Sequence, residues 1–264
     1  MRMIPVRTRA AAMILPVLFV ATAGCDIAMA DLRQSEKAEW RKTYDLQPGG
    51  RFEISNVNGT IDVRPADGNT VEVVAEKIAK GASSEAAKEA LQRIEIQESV
   101  SPGAVRLETK FQRGGGLFGG GNFEVRYTVR VPAGVEVRVS TVNGGIELSG
   151  MKGRVVAETV NGGIRADDLS GPVEANTTNG GVDVRLTQLS GDGVKLGCTN
   201  GGIKLRLPPD AKATISARVA NGWTRTRFFA RSPVSGLPPV VAWQLLSSVG
   251  DGWSPTEQAP ASPC

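Results

Sequence analysis

The sequence predicts an all-β chain. Its main part reads as a single-stranded parallel β-solenoid (β-helix), preceded by a strand-rich N-terminal part with one short helix. Three observations predict this. An Asn-Gly-Gly motif recurs at near-constant spacing. Apolar and polar residues alternate on both sides of each copy. Aromatic residues make up only 5% of the chain while glycine accounts for 32 of 264 residues, which suits many short strands joined by tight turns better than an aromatic-filled core.

The repeat is the strongest signal. Val142-Asn143-Gly144-Gly145-Ile146 returns as Val160-Asn161-Gly162-Gly163-Ile164, Thr178-Asn179-Gly180-Gly181-Val182 and Thr199-Asn200-Gly201-Gly202-Ile203. A decayed copy follows at Ala220-Asn221-Gly222-Trp223, and an isolated early one stands at Val57-Asn58-Gly59-Thr60-Ile61. The later asparagines are spaced by 18, 18, 21 and 21 residues.

Aligning the copies on the asparagine gives columns. Six residues before it stand Phe52, Val137, Val155, Val173, Val194 and Ile215; four before stand Ile54, Val139, Ala157, Ala175, Leu196 and Ala217. Three after stand Ile61, Ile146, Ile164, Val182, Ile203 and Thr224; five after stand Val63, Leu148, Ala166, Val184, Leu205 and Thr226. An apolar residue at every second position is the mark of a strand with one buried face. Four after the asparagine the residues are Glu147, Arg165, Asp183, Lys204 and Arg225. Stacked in register, most neighbours there have opposite sign, worth a few tenths of a kcal/mol for each pair.

Each copy therefore reads as strand, corner, strand, second turn. Asn and Gly tolerate the positive φ that a sharp corner is expected to demand. Corner amides stacked in register are expected to hydrogen-bond one another and the backbone. Asn-Gly also suits an antiparallel meander of two-residue hairpins. Inward columns shared by every copy, with period and corner repeating together, favour the solenoid.

Elsewhere, 40–77 reads as strands around the first Asn-Gly copy. Ser83 to Arg93 reads as a helix, capped by Ser83 or Ser84, with Ala87, Leu91 and Ile94 as its apolar stripe. Val105 to Gln112 and Phe123 to Val131 alternate as strands. Between them lies Gly114 to Gly121, which matches a dinucleotide-binding glycine pattern by letter but is followed by a strand, where such a site needs a helix. It reads as a hairpin loop with Leu117 and Phe118 at its tip. The expected organisation is an N-terminal β-rich part over 40–134, repeats over 135–228 and an irregular Pro-rich tail over 229–264 that is disordered from about Gly250. Cys198 falls in the inward column of Thr141, Thr159 and Thr177 and reads as a small core residue; a disulfide to Cys264 in the tail is not expected.

Residues 1–30 read as an export signal, with Arg2, Arg7 and Arg9 ahead of a short apolar run over 10–23. Two cleavage sites compete. Thr22-Ala23-Gly24-Cys25 resembles a bacterial lipobox, which makes Cys25 the lipid-attachment residue and the membrane a partner through that lipid. Ala28-Met29-Ala30 is an ordinary signal-peptidase site that leaves Asp31 first. In lipoproteins of the enteric type, an acid where Asp26 stands implies retention in the inner membrane.

The Val-Asn-Gly-Gly-Ile copies, with Leu-Ser-Gly at 148–150, 169–171 and 189–191, resemble the bacterial putative-adhesin family of unknown function. The resemblance covers about Phe52 to Phe228 and implies exported, parallel single-strand coils. It implies no catalytic residue and no ligand. Members usually continue the repeat close to their C-terminus, and the tail here departs from that.

Composition narrows function. The formal charge of +4 and pI of about 9.1 are too small an excess to argue nucleic acid. The absence of histidine excludes a Ser-His-Asp triad, a Cys-His pair and His-ligated metal sites. No cofactor motif, metal cluster or catalytic constellation is expected. Of the carboxylates, Asp167 and Asp168 are adjacent, so on a strand they point apart, and Arg165 separates Glu147 from Asp183 in their column. The expectation is a non-catalytic, membrane-anchored or periplasmic envelope protein binding a glycan or protein surface. The alternatives are a polysaccharide-acting β-helix enzyme, whose carboxylate pair is missing here, and a structural or regulatory envelope component.

Overall fold

A computed structural model describes residues 34–112, 122–188, 193–208, 215–228 and 243–245. The export signal with Cys25, the loop carrying Leu117 and Phe118, Cys264, and the tail apart from 243–245 lie outside the described residues.

The strands form where the alternation places them. In chain order they are β1 (Gln34–Asp45), β2 (Arg51–Ser55), β3 (Ile61–Ala66), β4 (Thr70–Gly81), β5 (Ile94–Ser101), β6 (Ala104–Phe111), β7 (Asn122–Pro132), β8 (Glu136–Asn143), β9 (Ile146–Ser149), β10 (Val155–Asn161), β11 (Ile164–Leu169), β12 (Val173–Asn179), β13 (Val182–Leu186), β14 (Val194–Leu207), β15 (Ile215–Phe228) and β16 (Trp243–Leu245). One helix, α1 (Ser84–Gln92), joins β4 to β5. Ser83 caps it, its hydroxyl accepting the Ala86 N–H at 3.2 Å, and Ala87 and Ala90 face inward. Ile94, expected to extend the helix stripe, is instead the first residue of β5.

All strands belong to one open sheet, ordered β1-β4-β7-β3-β9-β11-β13-β14-β12-β10-β8-β2-β6-β5, with β15 added beside β14 and β16 beside β15. The path doubles back because β14 runs through its corner, its first half pairing with β12 and its second half with β13. The strands before the corners stack in parallel and in register, Val137 beside Val155, Val173, Val194 and Ile215. The strands after the corners stack likewise, Ile146 beside Ile164, Val182, Ile203 and Thr224.

The early copy at Asn58 is not isolated in space. β2 pairs in parallel with β8, and β3 with β9. A unit separated by about eighty residues of sequence thus becomes the rung below the first regular copy. Beyond it, the expectation of a purely parallel coil fails. β1 with β4, β4 with β7, and β5 with β6 pair antiparallel. Only Pro102 and Gly103 separate β5 from β6, and so short a connection permits only antiparallel neighbours.

The inward columns from both stacks meet in one core. Phe52, Ile54, Val137, Val139, Ile146, Val184 and Ile203 have no accessible surface. At the last copy the ribbon stops: Thr224 is exposed where isoleucine or valine stood before. The N-terminal part adds the buried Tyr127, whose hydroxyl shares a 2.6 Å hydrogen bond with Thr109, and Tyr44, which donates to Glu98 at 2.8 Å.

The corners depend on close backbone approach. A Cβ on Gly144 would overlap the Gly59 carbonyl, on Gly162 the Gly144 carbonyl, on Gly180 the Gly162 carbonyl, and on Gly201 the Gly180 carbonyl. This adds to the expected reason for the motif, which holds for the glycine and not for the asparagine. No corner asparagine has positive φ; among described non-glycine residues only Asp168 does, at 56°. The first glycine is required because there is no room for a side chain, and at Gly59, Gly180, Gly201 and Gly222 also because φ is positive, between 118° and 153°. The second is different: a Cβ on Gly163 would meet the Gly181 carbonyl at an ordinary 3.4 Å.

Two outcomes follow. Gly162→Ala lowers unfolding free energy by about 1–3 kcal/mol, whereas Gly163→Ala stays within about 1 kcal/mol of the parent, as denaturant unfolding will show. The chain has two tyrosines, and burial pushes both phenols up, Tyr127 to about 12 and Tyr44 further, helped by the Glu98 carboxylate. The folded protein therefore shows no tyrosinate absorbance near pH 10. The unfolded chain loses those protons at about 10, so stability falls as pH rises from about 10 to about 12.

Candidate functional site

The register places the corner asparagines in a ladder along the outside. Asn143 Nδ2 donates to Asn58 Oδ1, Asn161 to Asn143, Asn179 to Asn161 and Asn200 to Asn179, each at 2.8 Å, and Asn221 donates to Asn200 at 3.0 Å. The expected amide stack is present, but its members from Asn143 onward are exposed. Beneath it runs a second, buried ladder. Thr159 Oγ1 donates to the Gly144 carbonyl at 3.0 Å and Thr177 Oγ1 to the Gly162 carbonyl at 2.9 Å. Cys198 does the same through sulfur, to the Gly180 carbonyl at 3.2 Å. Asn56 takes this place in the first copy, donating to the Gly59 and Val125 carbonyls.

On either side of the asparagines runs a trough. Before the corner, about 500 Å³ is enclosed over Ser140, Glu158, Asn176 and Thr178 with half-exposed Val142 and Val160. This face is uneven, its central column passing from serine through glutamate, asparagine and glycine to Arg218.

After the corner, about 400 Å³ lies over the second glycines, Gly145, Gly163, Gly181 and Gly202. Its floor is bare backbone and its wall is the charged column of Glu147, Arg165, Asp183 and Lys204. Thr60 holds the second-glycine position in the first copy and Trp223 in the last. Trp223 lies against Gly202, where a Cβ would collide with the indole, yet 49% of it is exposed. Lys204 Nζ stands 5.7 Å and Arg225 Cζ 5.5 Å from its ring centroid, within cation–π range.

The charged column forms as the sequence indicates, Glu147 beside Arg165, Asp183, Lys204 and Arg225. Its ion pairing differs. Asp183 is held by Arg206, two residues further along the next strand, through two bonds of 2.7 and 3.0 Å. A guanidinium fork grips both carboxylate oxygens from that diagonal position, which outweighs a straight lateral contact. Arg165, Lys204 and Arg225 make no salt bridge among the described residues. Asp168 sits at the irregularity between Ala166 and Leu169, 3.7 Å from Arg185, and Asp167 continues the strand, so the two form no site together. Cys198 is buried as expected, and burial raises its thiol pKa. Among the described residues no three His, Cys, Asp or Glu side chains cluster to hold a metal ion, and no helix is long and apolar enough to cross a membrane. Trp223 was not singled out by the sequence; the signal available was a bulky residue where the other late copies keep glycine.

No family model and no curated protein matches the chain. Among solved structures it is similar to a putative cell adhesion protein from Clostridium sporogenes, at 9% identity over 74% of this chain and 100% of that one, TM-score 0.39. It is also similar to a putative adhesin from Bacteroides fragilis, at 10% identity over 74% and 98% of the chains, TM-score 0.32. A putative lipid binding protein from Parabacteroides distasonis matches at 10% identity over 74% and 92%, TM-score 0.22. Likenesses this distant transfer no function.

The buried hydroxyl ladder is testable. Thr177→Val keeps the shape but strips the Gly162 carbonyl of its donor and costs about 1–3 kcal/mol in denaturant unfolding. Thr178→Val, one residue on and outward-facing, stays within about 0.5 kcal/mol.

Proposed function

We propose that the chain is an exported, non-catalytic binding module of the bacterial cell envelope. In this reading, residues 135–228 coil as a β-solenoid, and residues 1–30 direct export. Cys25 carries a lipid if the lipobox is used; cleavage after Ala30 gives a free periplasmic form. The reading extends the resemblance in the Asn-Gly-Gly copies.

One observation supports it above the others. The exposed asparagine amides and the second glycines recur at the spacing of adjacent strands, about 4.8 Å, with a trough on either side of the amides running across successive copies. Such a surface suits an extended partner, a glycan or a protein segment, better than a compact small molecule. The carboxylates argue the same way. Glu147 and Asp183 stand two strands apart with Arg165 between them, and Asp183 is committed to Arg206. Neither has the facing partner that glycoside cleavage needs.

The test is retention of the purified chain on fractions of bacterial envelope: whole envelope, peptidoglycan and released surface glycans. Retention on at least one, with the bound material unchanged in length after incubation, is the expected result. Failure on all of them, or shortening of a glycan, overturns the reading. Labelling with a radioactive fatty acid, compared between the parent and Cys25→Ser, decides between the two forms.

A further inference from the structure

We propose that the glycine-floored trough is a subsite for an acidic glycan, a chain of carboxylate-bearing sugars. The chain lies across the strands, with one ring stacked on Trp223 and its carboxylates directed to Lys204 and Arg225. The inference rests on the envelope-binding reading and names the ligand class and the place.

The shape comes first. Three bare glycines, Gly145, Gly163 and Gly181, with Gly202 under the indole, are bracketed by side chains at the same corner position, Thr60 at one end and Trp223 at the other. A Cβ on Gly145, Gly163 or Gly181 would have room, so the fold does not demand glycine there. What its absence of side chain creates is an open floor on which a ligand approaches backbone. From Gly145 to Trp223 is four strand spacings, about 19 Å. Each spacing is close to the advance of one sugar unit in an extended glycan.

Charge then selects among glycans. The acid of the inner trough, Asp183, is neutralised by both terminal nitrogens of Arg206. Arg165, Lys204 and Arg225 make no salt bridge among the described residues, and the latter two gather around the indole. The end marked by Trp223 is therefore aromatic and cationic, while Glu147 stands at the opposite end. An exposed indole offers a flat apolar face to the C–H face of a sugar ring, and the neighbouring cations suit ring carboxylates. Single-stranded nucleic acid fits less well, because base stacking along a strand uses several aromatic platforms and this trough has one.

The full chain, purified in mild detergent, is titrated with oligogalacturonate and with the same oligomer fully methyl-esterified, by calorimetry at two salt concentrations. The expected result is binding of the acid form, weakened by salt, with the ester at least about tenfold weaker. Trp223→Gly restores the Asn-Gly-Gly corner of the other copies and so keeps the fold; it and Arg225→Glu each weaken acid binding at least about tenfold. Lys152→Glu, on an exposed turn outside the trough, leaves it unchanged. Equal binding of acid and ester, binding that survives both trough variants, or equally tight binding of a single-stranded oligonucleotide of matched charge overturns the assignment. If uronate fails to bind while envelope fractions still retain the chain, this inference falls and the binding-module reading stands.

Discussion

The contact on which the rest depends is between backbones: from Gly144 onward, the first glycine of each corner lies against the carbonyl of the first glycine one copy earlier. The contact leaves no space for a Cβ, so it forms at one register only. A slip of one residue would turn every inward residue outward, and in one direction would also bring the asparagine side chain to the crowded point. Once that register holds, the valine and isoleucine columns superpose, the threonine hydroxyls reach the glycine carbonyls, and the asparagine amides meet end to end. The exposed amides contribute little each, since water competes for them. The buried hydroxyls matter more, because they pair carbonyls that the close approach removes from solvent.

The same contact recruits the N-terminal part. Gly59 presents its carbonyl to Gly144 just as Gly144 does to Gly162, which seats β2 and β3 on the stack. After one further parallel rung, β6 beside β2 and β7 beside β3, the chain turns to antiparallel pairing, and this settles how the sheet ends on that side. A growing parallel stack offers an open edge to any other chain. On the side of the N-terminal part the outermost strands are β1 and β5. Lys37, Glu39, Arg41, Lys42 and Asp45 stand exposed on the first, and Glu95 and Glu98 on the second. Charged side chains along an edge discourage it from pairing with another chain.

The repeat region was largely legible because it repeats. Six aligned copies turn a weak two-residue alternation into columns, and columns give inward face, register and charge pattern together. The N-terminal part has no such redundancy. Which of β1, β4, β5, β6 and β7 lie side by side is set by tertiary packing between segments far apart in sequence, and single strands do not encode their partners. Local chemistry misled in two places. Positive φ, expected of both residues of Asn-Gly, falls only on glycines, where proximity of backbones acts as well. Asp183 was matched to its lateral neighbours, whereas the long guanidinium of Arg206 reaches it diagonally.

Where the repeat decays, the balance of forces changes. Thr224 and Thr226 replace the inward isoleucine and leucine, so the last copy loses apolar burial on that side of the corner. It is still paired with β14 without interruption from Val194 beside Ile215 to Leu207 beside Phe228. Trp223 adds the contact that the core no longer supplies, lying over Gly202 on the outside of the sheet. An indole placed there for packing alone would be best served by full cover, and would have no use for two cations beside it without carboxylate partners. Half of its surface remains open, with Lys204 and Arg225 around it. The copy that contributes least to the interior thus concentrates the aromatic and cationic groups of the glycine-floored trough at one end of an otherwise repetitive surface.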